Sequence, residues 1–213
     1  MPYLDLLGTL DRWFERGQTA AGCGADGAPV VPCRSGCAAC CHGVFDISPA
    51  DAALVAEGVA ALPAEARAAL TRRAEEQLAR YHELAPGFGP PYDVEALGED
   101  LFDALVEPLA DAPCPALDDA GRCVLYTHRP ATCRMLGLGM VSPELGTLEN
   151  VCPIQGEHPA YAALPPTPFD LLAFERASLV VEHAEAAAGR VTTTVAAAIS
   201  QASINGRGST GRA

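Results

Sequence analysis

The chain has 213 residues, which is enough for one globular domain with its own hydrophobic core. Its 27 acidic and 14 basic residues give a formal net charge of −13 at pH 7, and each of those basic residues is an arginine. The lack of lysine excludes a Schiff-base lysine and a phosphate-loop lysine. Because the acidic chain has no basic stripe, we expect no nucleic-acid partner.

The first 15 residues provide information about where in the cell the protein is located. Asp5 and Asp11 interrupt the apolar residues there, and the basic start and continuous apolar core of a signal peptide are missing. No stretch approaches the roughly 20 consecutive apolar residues that span a bilayer. We therefore expect a cytoplasmic protein with no membrane partner. Since cytoplasmic thiols are kept reduced, its nine cysteines indicate metal or redox chemistry and not disulfides.

Apolar periodicity and helix-boundary residues predict a mainly α fold with small β-hairpins, in the α+β class. Ser48 followed by Pro49 is typical of a helix N-terminus, and Pro63 can begin the next helix. Gly189 is placed to end a long helix that begins at Thr167-Pro168. The predicted helices cover residues 3–16, 49–61, 64–84, 93–107, 167–188 and 191–201.

Turn-rich segments in the second half predict two short β pairs. The turn-like run Asp118–Gly121 separates Cys114 from Cys123, which predicts a hairpin with one cysteine on each arm. Residues 134–141 and 147–151 form the second predicted pair.

The domain organisation predicted from these elements is simple. We expect a single metal-stabilised domain over residues 1–200, with a cysteine-cluster core at about 33–153 and flanking helices. Residues 202–213 carry too little apolar surface to offset the entropy of ordering, so we expect a disordered tail there.

Eight of the nine cysteines fall into two groups, one of four within nine residues and one spread over a longer stretch. On a helix, the first four side chains would share one face; in a loop, their spacing is typical of metal-binding knuckles. Neighbouring helical side chains diverge by about 100°, so one of the two adjacent cysteines would serve a second centre or bridge. The candidate metal ligands are Cys33, Cys37, Cys40, Cys41, Cys114, Cys123, Cys133 and Cys152.

Eight thiols suit two four-coordinate centres, or one cluster with additional ligands. Cys23 is left over in a Gly/Ala-rich loop, and we treat it as a non-ligand. His42 and His128 adjoin cysteine-bearing segments and are less favoured candidates. Arg134 follows Cys133 and could be a cofactor-binding residue that donates hydrogen bonds to sulfur. The alternative is an ordinary ion pair with one of the abundant carboxylates.

Four motifs occur together in the cysteine-rich region: Cys33-x₃-Cys37-x₂-Cys40-Cys41, Cys114-Pro with Cys123-x₂-Tyr126, Arg129-Pro-x₂-Cys133-Arg134, and Cys152-Pro. In this combination the chain resembles the zinc- or iron-chelating domain family, the YkgJ-type cysteine-cluster proteins, over about residues 33–153. The resemblance implies that the eight cysteines are metal ligands. Some relatives, including a flagellin lysine methylase, look like iron–sulfur proteins. This chain departs from the family pattern by having three residues between Cys33 and Cys37 where the family has two.

Thiolate ligands suit both zinc and iron–sulfur clusters, so the choice of metal stays open. The tight cysteine run and the late Cys-Pro are typical of ferredoxin-like ligation. We therefore favour an iron–sulfur cluster used for electron transfer or redox-linked modification, with a protein redox partner. The alternative is zinc in a structural or storage role without catalysis.

Enzymatic activity is left open by the sequence, and no catalytic residue is assigned. Cys33-x₃-Cys37-x₂-Cys40 also matches the radical-SAM signature, but Ala39 stands where an aromatic residue is usual, and no β/α alternation follows. A further alternative is an enzyme whose cluster only supports a site on the flanking helices, in a pocket lined by residues from 45–110 and 160–185.

Overall fold

The computed structural model describes residues 2–34 and 36–208. Its helices are Pro2–Ala21 (α1), Pro49–Ala61 (α2), Ala64–Leu84 (α3), Val94–Leu97 (α4), Glu99–Val106 (α5), Ala131–Met135 (α6), Pro159–Ala162 (α7), Leu171–Ala187 (α8) and Val195–Gly208 (α9). Its strands are Asp46–Ile47 (β1), Met140–Ser142 (β2), Gly146–Leu148 (β3), Thr167–Pro168 (β4) and Thr193–Thr194 (β5). The prediction of a mainly helical fold with small β elements is confirmed. None of the described helices combines the length and apolar character needed to cross a bilayer.

The backbone divides into two compact units. Unit 1 comprises Met1–Cys40 and Ala131–Val181, and unit 2 comprises Cys41–Pro130 and Glu182–Ala213. The chain therefore passes from unit 1 to unit 2 between the adjacent cysteines of the first group. The single domain expected over residues 1–200 stays a prediction.

Unit 1 is built on α1, whose apolar face buries Leu7, Leu10 and Trp13 completely. This helix confirms the one predicted over residues 3–16 and continues to Ala21. The indole Nε1 of Trp13 donates a hydrogen bond of 3.2 Å to the carbonyl oxygen of Thr167 in β4. Burial of a Trp with its N–H satisfied by strand backbone fixes α1 against the sheet.

The sheet of unit 1 has the order β3-β2-β4, with β2 antiparallel to β3 and parallel to β4. Two predictions are corrected here. Thr167 and Pro168 form β4 rather than a helix start, and α8 begins three residues later, where the Asp170 carboxylate accepts the N–H of Ala173 at 2.9 Å. The predicted strand over 134–141 begins only at Met140, because the preceding residues form α6 and Gly137 then adopts a left-handed φ of +104°.

Unit 2 packs α9 against α2 and α3 around its own apolar core. The predicted start of α2 is confirmed, since the Ser48 side chain accepts the N–H of Asp51 at 3.2 Å. The helix predicted over 93–107 is divided into α4 and α5 by Gly98, whose φ of +88° is incompatible with a continuous helix. Strand β1 pairs with β5 in antiparallel register.

The sequence predicts a disordered tail that starts at residue 202. In the structure, residues 202–208 belong to α9, which continues to Gly208. The Ser203 hydroxyl is buried and lies 2.6 Å from the Thr71 hydroxyl of α3. This hydrogen bond and the packing of Ala202 near the core give residues after 201 a partner that the sequence alone did not reveal. The remaining tail residues, 209–213, lie outside the described residues.

Candidate metal centre

Three cysteines of unit 1 lie close enough to Cys33 to oppose the ionisation of its thiol. The pKa of Cys33 is raised to about 11, chiefly by burial and then by negative charge on Cys152, Cys37 and Cys40, with Tyr161 acting in the opposite direction. A cation bound among these sulfurs would replace repulsion by attraction, and would be bound by the deprotonated forms. We call these four residues the unit 1 thiol cluster.

The first cysteine group lies in turns and extended backbone, where described, and not on a helix. Gly36 has a φ of +86°, and the N–H of Cys37 donates to the carbonyl oxygen of Arg34 at 2.9 Å. At the end of α1, Gln18 Nε2 donates to the carbonyl oxygen of Cys33 at 3.1 Å. The alternative of four thiols on one helical face is therefore wrong, because the left-handed glycine turns the chain after Arg34.

A tyrosine that the sequence analysis did not single out lies beside this cluster. Tyr161 of α7 is only 1% exposed, and its hydroxyl donates a 2.6 Å hydrogen bond to the carbonyl oxygen of Gly137. The Cys33 and Cys152 thiols and the Asn150 amide are also neighbours that influence the phenol electrostatically. Burial, above all, raises the pKa of the Tyr161 phenol, so it remains a neutral hydrogen-bond donor.

Because Gly137 has no side chain, the Cys33 side chain can occupy the space next to it. A Cβ atom on Gly137 would lie 2.9 Å from Cys33 Sγ and 3.0 Å from Phe14 Cε2, closer than real Cβ contacts. Together with its left-handed φ, this close approach requires glycine at position 137.

Cys133 lies on α6, which packs against α1 within unit 1. The next residue, Arg134, is 5% exposed, and its Nη1 donates to the carboxylate of Asp11 on α1. This is the ion pair considered as the alternative for Arg134. Its predicted role as a cofactor-binding residue stays a prediction.

In unit 2, backbone hydrogen bonds place Cys41 beside Cys114. The N–H of Cys114 donates to the carbonyl oxygen of Cys41 at 2.8 Å, and the N–H of Gly43 donates to Ala112 at the same distance. A short antiparallel ladder thus joins the cysteine-rich loop to the segment that leads into the second cysteine group.

The predicted hairpin between Cys114 and Cys123 forms around one antiparallel bridge, which pairs Leu117 with Cys123. The Asp118 carboxylate closes its turn by accepting the N–H groups of Ala120 at 2.9 Å and Arg122 at 2.8 Å. A side-chain acceptor in this position is typical of an Asx turn.

Both hairpin cysteines are partly buried and receive backbone donors. Burial raises the pKa of Cys114 to about 12, partly offset by the N–H of Ala116. Burial also raises the pKa of Cys123, offset by the N–H of Leu125 and by the positive charge of Arg129. In each case the N–H two residues further on lowers the thiol pKa and so favours the thiolate that a metal needs.

A small cavity of about 10 Å³ lies next to the Cys114 side chain and is lined also by Gln77, Tyr81 and Thr194. Within the described chain, Gln77 Oε1 is buried without a hydrogen-bond partner. The cavity has about the size of one water molecule, which Gln77 could bind beside the Cys114 sulfur.

Cysteine thiols are suitable ligands for a thiophilic metal. The described cysteine side chains, however, are not arranged as a complete metal site. All nine cysteines are free thiols. Within residues 2–34 and 36–208, no three His, Cys, Asp or Glu side chains are arranged to hold a metal ion. Zinc–sulfur bonds near 2.3 Å would bring tetrahedral thiolates to about 3.8 Å from each other. Metal binding would therefore draw the cysteine side chains together and order the turns that carry them.

Comparison with protein families agrees with this donor chemistry. The family model CxxCxxCC, described as a putative zinc- or iron-chelating domain, matches residues 32–153, more than half of the chain. The chain belongs to the CxxCxxCC family. The resemblance seen in the sequence is thereby confirmed, and the family supports metal binding. The chain matches no curated protein and no solved structure.

The matched CxxCxxCC domain contains all eight candidate cysteines and Arg134, whereas Cys23 and Tyr161 lie outside it. Sequence reasoning could not find Tyr161, because an isolated tyrosine after the last cysteine carries no spacing signal.

Proposed function

We propose that this CxxCxxCC protein holds an iron–sulfur centre on its cysteine thiols and uses it for electron transfer or redox-linked modification. The observation that carries the proposal is the unit 1 thiol cluster, in which the charges of three cysteines oppose ionisation of the fourth. Such repulsion is relieved when the thiolates share a positively charged metal core.

The number of thiols in each unit supports more than one ligand set. Unit 1 contains the unit 1 thiol cluster together with Cys133, and unit 2 contains Cys41, Cys114 and Cys123. Cys40 and Cys41 are adjacent in sequence but belong to different units, as expected if they serve different centres.

Arg134 is proposed to assist the metal in unit 1. It follows Cys133 on α6 and is almost completely buried. Because the Asp11 carboxylate holds Nη1, the guanidinium is fixed next to Cys133 in the chain, where its positive charge could offset negative charge on sulfur.

The proposed partner is a protein with a basic surface, since a net charge of −13 attracts such a partner over several ångströms. A cytoplasmic location is proposed because nine reduced thiols persist there.

Zinc is the second candidate, and the arrangement around Cys114 and Cys123 favours it. A backbone N–H that favours the thiolate from two residues further on suits the knuckles of structural zinc sites. In that case the metal would stabilise the hairpin and carry no electrons.

Anaerobic purification followed by an absorption spectrum and analysis for iron, zinc and acid-labile sulfide separates the two candidates. Iron with sulfide, and a broad absorption that dithionite bleaches, is the result we expect. Zinc without sulfide in colourless, air-stable protein would replace the iron–sulfur proposal by the structural alternative.

A further inference from the structure

Tyr161 is a buried hydroxyl group at the unit 1 thiol cluster that neither the cysteine motifs nor the family match includes. We propose that Tyr161 is a positioning residue that moves its hydroxyl donor from the Gly137 carbonyl to a cluster sulfur when metal binds. This inference rests on the proposed metal binding by that cluster.

The geometry brings three groups to one hydroxyl. Its proton points to Gly137 O, 2.6 Å away. Gly137 is also the residue whose missing Cβ leaves room for Cys33 Sγ. The Cys33 and Cys152 side chains are close enough to the same phenol to influence its ionisation. Tyr161 therefore links the backbone that shapes the Cys33 site to the sulfurs themselves.

A hydroxyl has one proton, so its acceptors compete. In the metal-free chain, neutral thiols are poor acceptors, and the carbonyl oxygen of Gly137 receives the proton. Metal binding requires thiolates, and hydrogen bonds to charged acceptors are about twice as strong as neutral ones. The proton is therefore expected to turn towards Cys33 or Cys152 in the metal-bound protein.

The Asn150 side chain holds the backbone of Cys152, since its Oδ1 accepts the N–H of Cys152 at 3.0 Å. Its amide is also close enough to the Tyr161 hydroxyl to influence its ionisation. When the phenol proton turns to sulfur, the phenol oxygen can still accept from the Asn150 amide, so it is not left without a partner.

The test uses Co²⁺ as the metal probe on the full chain, because thiolate-to-cobalt charge transfer gives a near-ultraviolet band. The variant is Tyr161→Phe, which removes only the hydroxyl group. Tyr3→Phe is the matched control: Tyr3 is also 1% exposed, and it lies 15 residues before Gln18 on α1, about 22 Å along the helix.

We expect Tyr161→Phe to weaken Co²⁺ binding about 10–100-fold, in line with the loss of other groups that support metal ligands. We also expect the charge-transfer band to move to longer wavelength, because a sulfur without its hydrogen bond gives up electrons more readily. Tyr3→Phe should leave both quantities unchanged. An unshifted band in Tyr161→Phe overturns the inference, even if affinity falls.

Wild-type protein that gives no thiolate-to-cobalt band would instead refute metal binding by the cluster, so the two failures are distinguishable. If Tyr161→Phe does not fold, wild-type protein containing 3-fluorotyrosine provides the second measurement. The fluorinated phenol is a stronger hydrogen-bond donor to sulfur, so the thiolate-to-cobalt band should move to shorter wavelength. An unchanged band there contradicts the inference equally.

Discussion

The backbone N–H of Cys114 donates a 2.8 Å hydrogen bond to the carbonyl oxygen of Cys41. This bond joins the last cysteine of the first group to the first cysteine of the second group, within unit 2. The three preceding cysteines of the first group belong to unit 1. The tight run of cysteines read from the sequence is therefore divided at its final pair.

Because Cys41 and Cys123 both belong to unit 2, we expect their replacements to have non-additive effects on metal content. If both serve one centre in unit 2, Cys41→Ala and Cys123→Ala should each remove the same share of metal, and the double variant should lose no more. Elemental analysis of the three purified variants measures this. Losses that add in the double variant would show that the two thiols hold different metal.

The metal-free protein should lose stability at alkaline pH. The pKa values of Cys33 and Cys114 are raised to about 11 and about 12 from the usual 9.0. Above pH 9 the unfolded chain releases thiol protons that the folded chain keeps, so stability falls as pH rises towards 11–12. Thermal unfolding with chelator and reductant, from pH 8 to 10, measures the slope.

Two cysteine variants provide the controls for this pH profile. Cys33→Ser should reduce the slope to the part that Cys114 contributes, whereas the exposed Cys23→Ser should leave it unchanged. A profile of wild-type protein that stays level up to pH 10 would contradict the raised thiol pKa values.

Metal binding near neutral pH should release protons. Binding by the unit 1 thiol cluster requires thiolates, so we expect more than one proton to be released per metal ion, the Cys33 proton with its raised pKa among them. Titration of Zn²⁺ into weakly buffered protein, followed by a pH indicator, counts these protons. Release of one proton or fewer would mean that thiolates are not the main ligands.

Gly58 of α2 is required by close packing against the segment that carries Cys123. A Cβ at this position would lie 2.7 Å from His128 Cβ and 3.1 Å from Leu125 Cδ2. Gly58→Ala should therefore cost about 1–3 kcal/mol of unfolding free energy by overpacking. Chemical denaturation measures the cost, with Gly87→Ala as control, since a Cβ on Gly87 would meet nothing within 4 Å. Equal stability of the two variants would refute the close packing.

The ion pair of Arg134 with Asp11 should contribute to the stability of unit 1. Arg134→Leu leaves a carboxylate that is 33% exposed, so we expect a loss of about 1–3 kcal/mol, less than for a fully buried pair. The exposed pair of Arg190 with Glu185 is the control, and Arg190→Leu should cost under about 1 kcal/mol.

Arg134→Leu also tests the second role of this arginine. If its charge acts on the metal, the variant should change the metal content or the reduction potential as well as stability. If the metal content and the reduction potential are both unchanged, Arg134 acts only through its ion pair with Asp11.

Local signals predicted the helices of this protein well. The Ser48 cap and Pro63 place α2 and α3 at their observed starts, because capping and proline act within one turn. Short strands were predicted less well. Thr167-Pro168 has a helix-start pattern, but pairing with β2 and the indole of Trp13 decides its structure, and both partners are distant in sequence.

The candidate site was predictable in its chemistry and not in its arrangement. Spacing indicated eight cysteines as candidate metal ligands, and that assignment stays a prediction. The left-handed turn at Gly36, the bond from Cys114 to Cys41 and the contact of Tyr161 with Gly137 depend on tertiary structure. No sequence period encodes these relationships.

We propose that the thiols of the unit 1 thiol cluster hold the metal of this protein. The most direct measurement compares metal content, by elemental analysis after anaerobic purification, in wild type, Cys37→Ala and Cys23→Ala. We expect Cys37→Ala to lose the metal of unit 1 while Cys23→Ala keeps the wild-type content. Full metal in a folded Cys37→Ala protein, or equal loss in both variants, would contradict the claim.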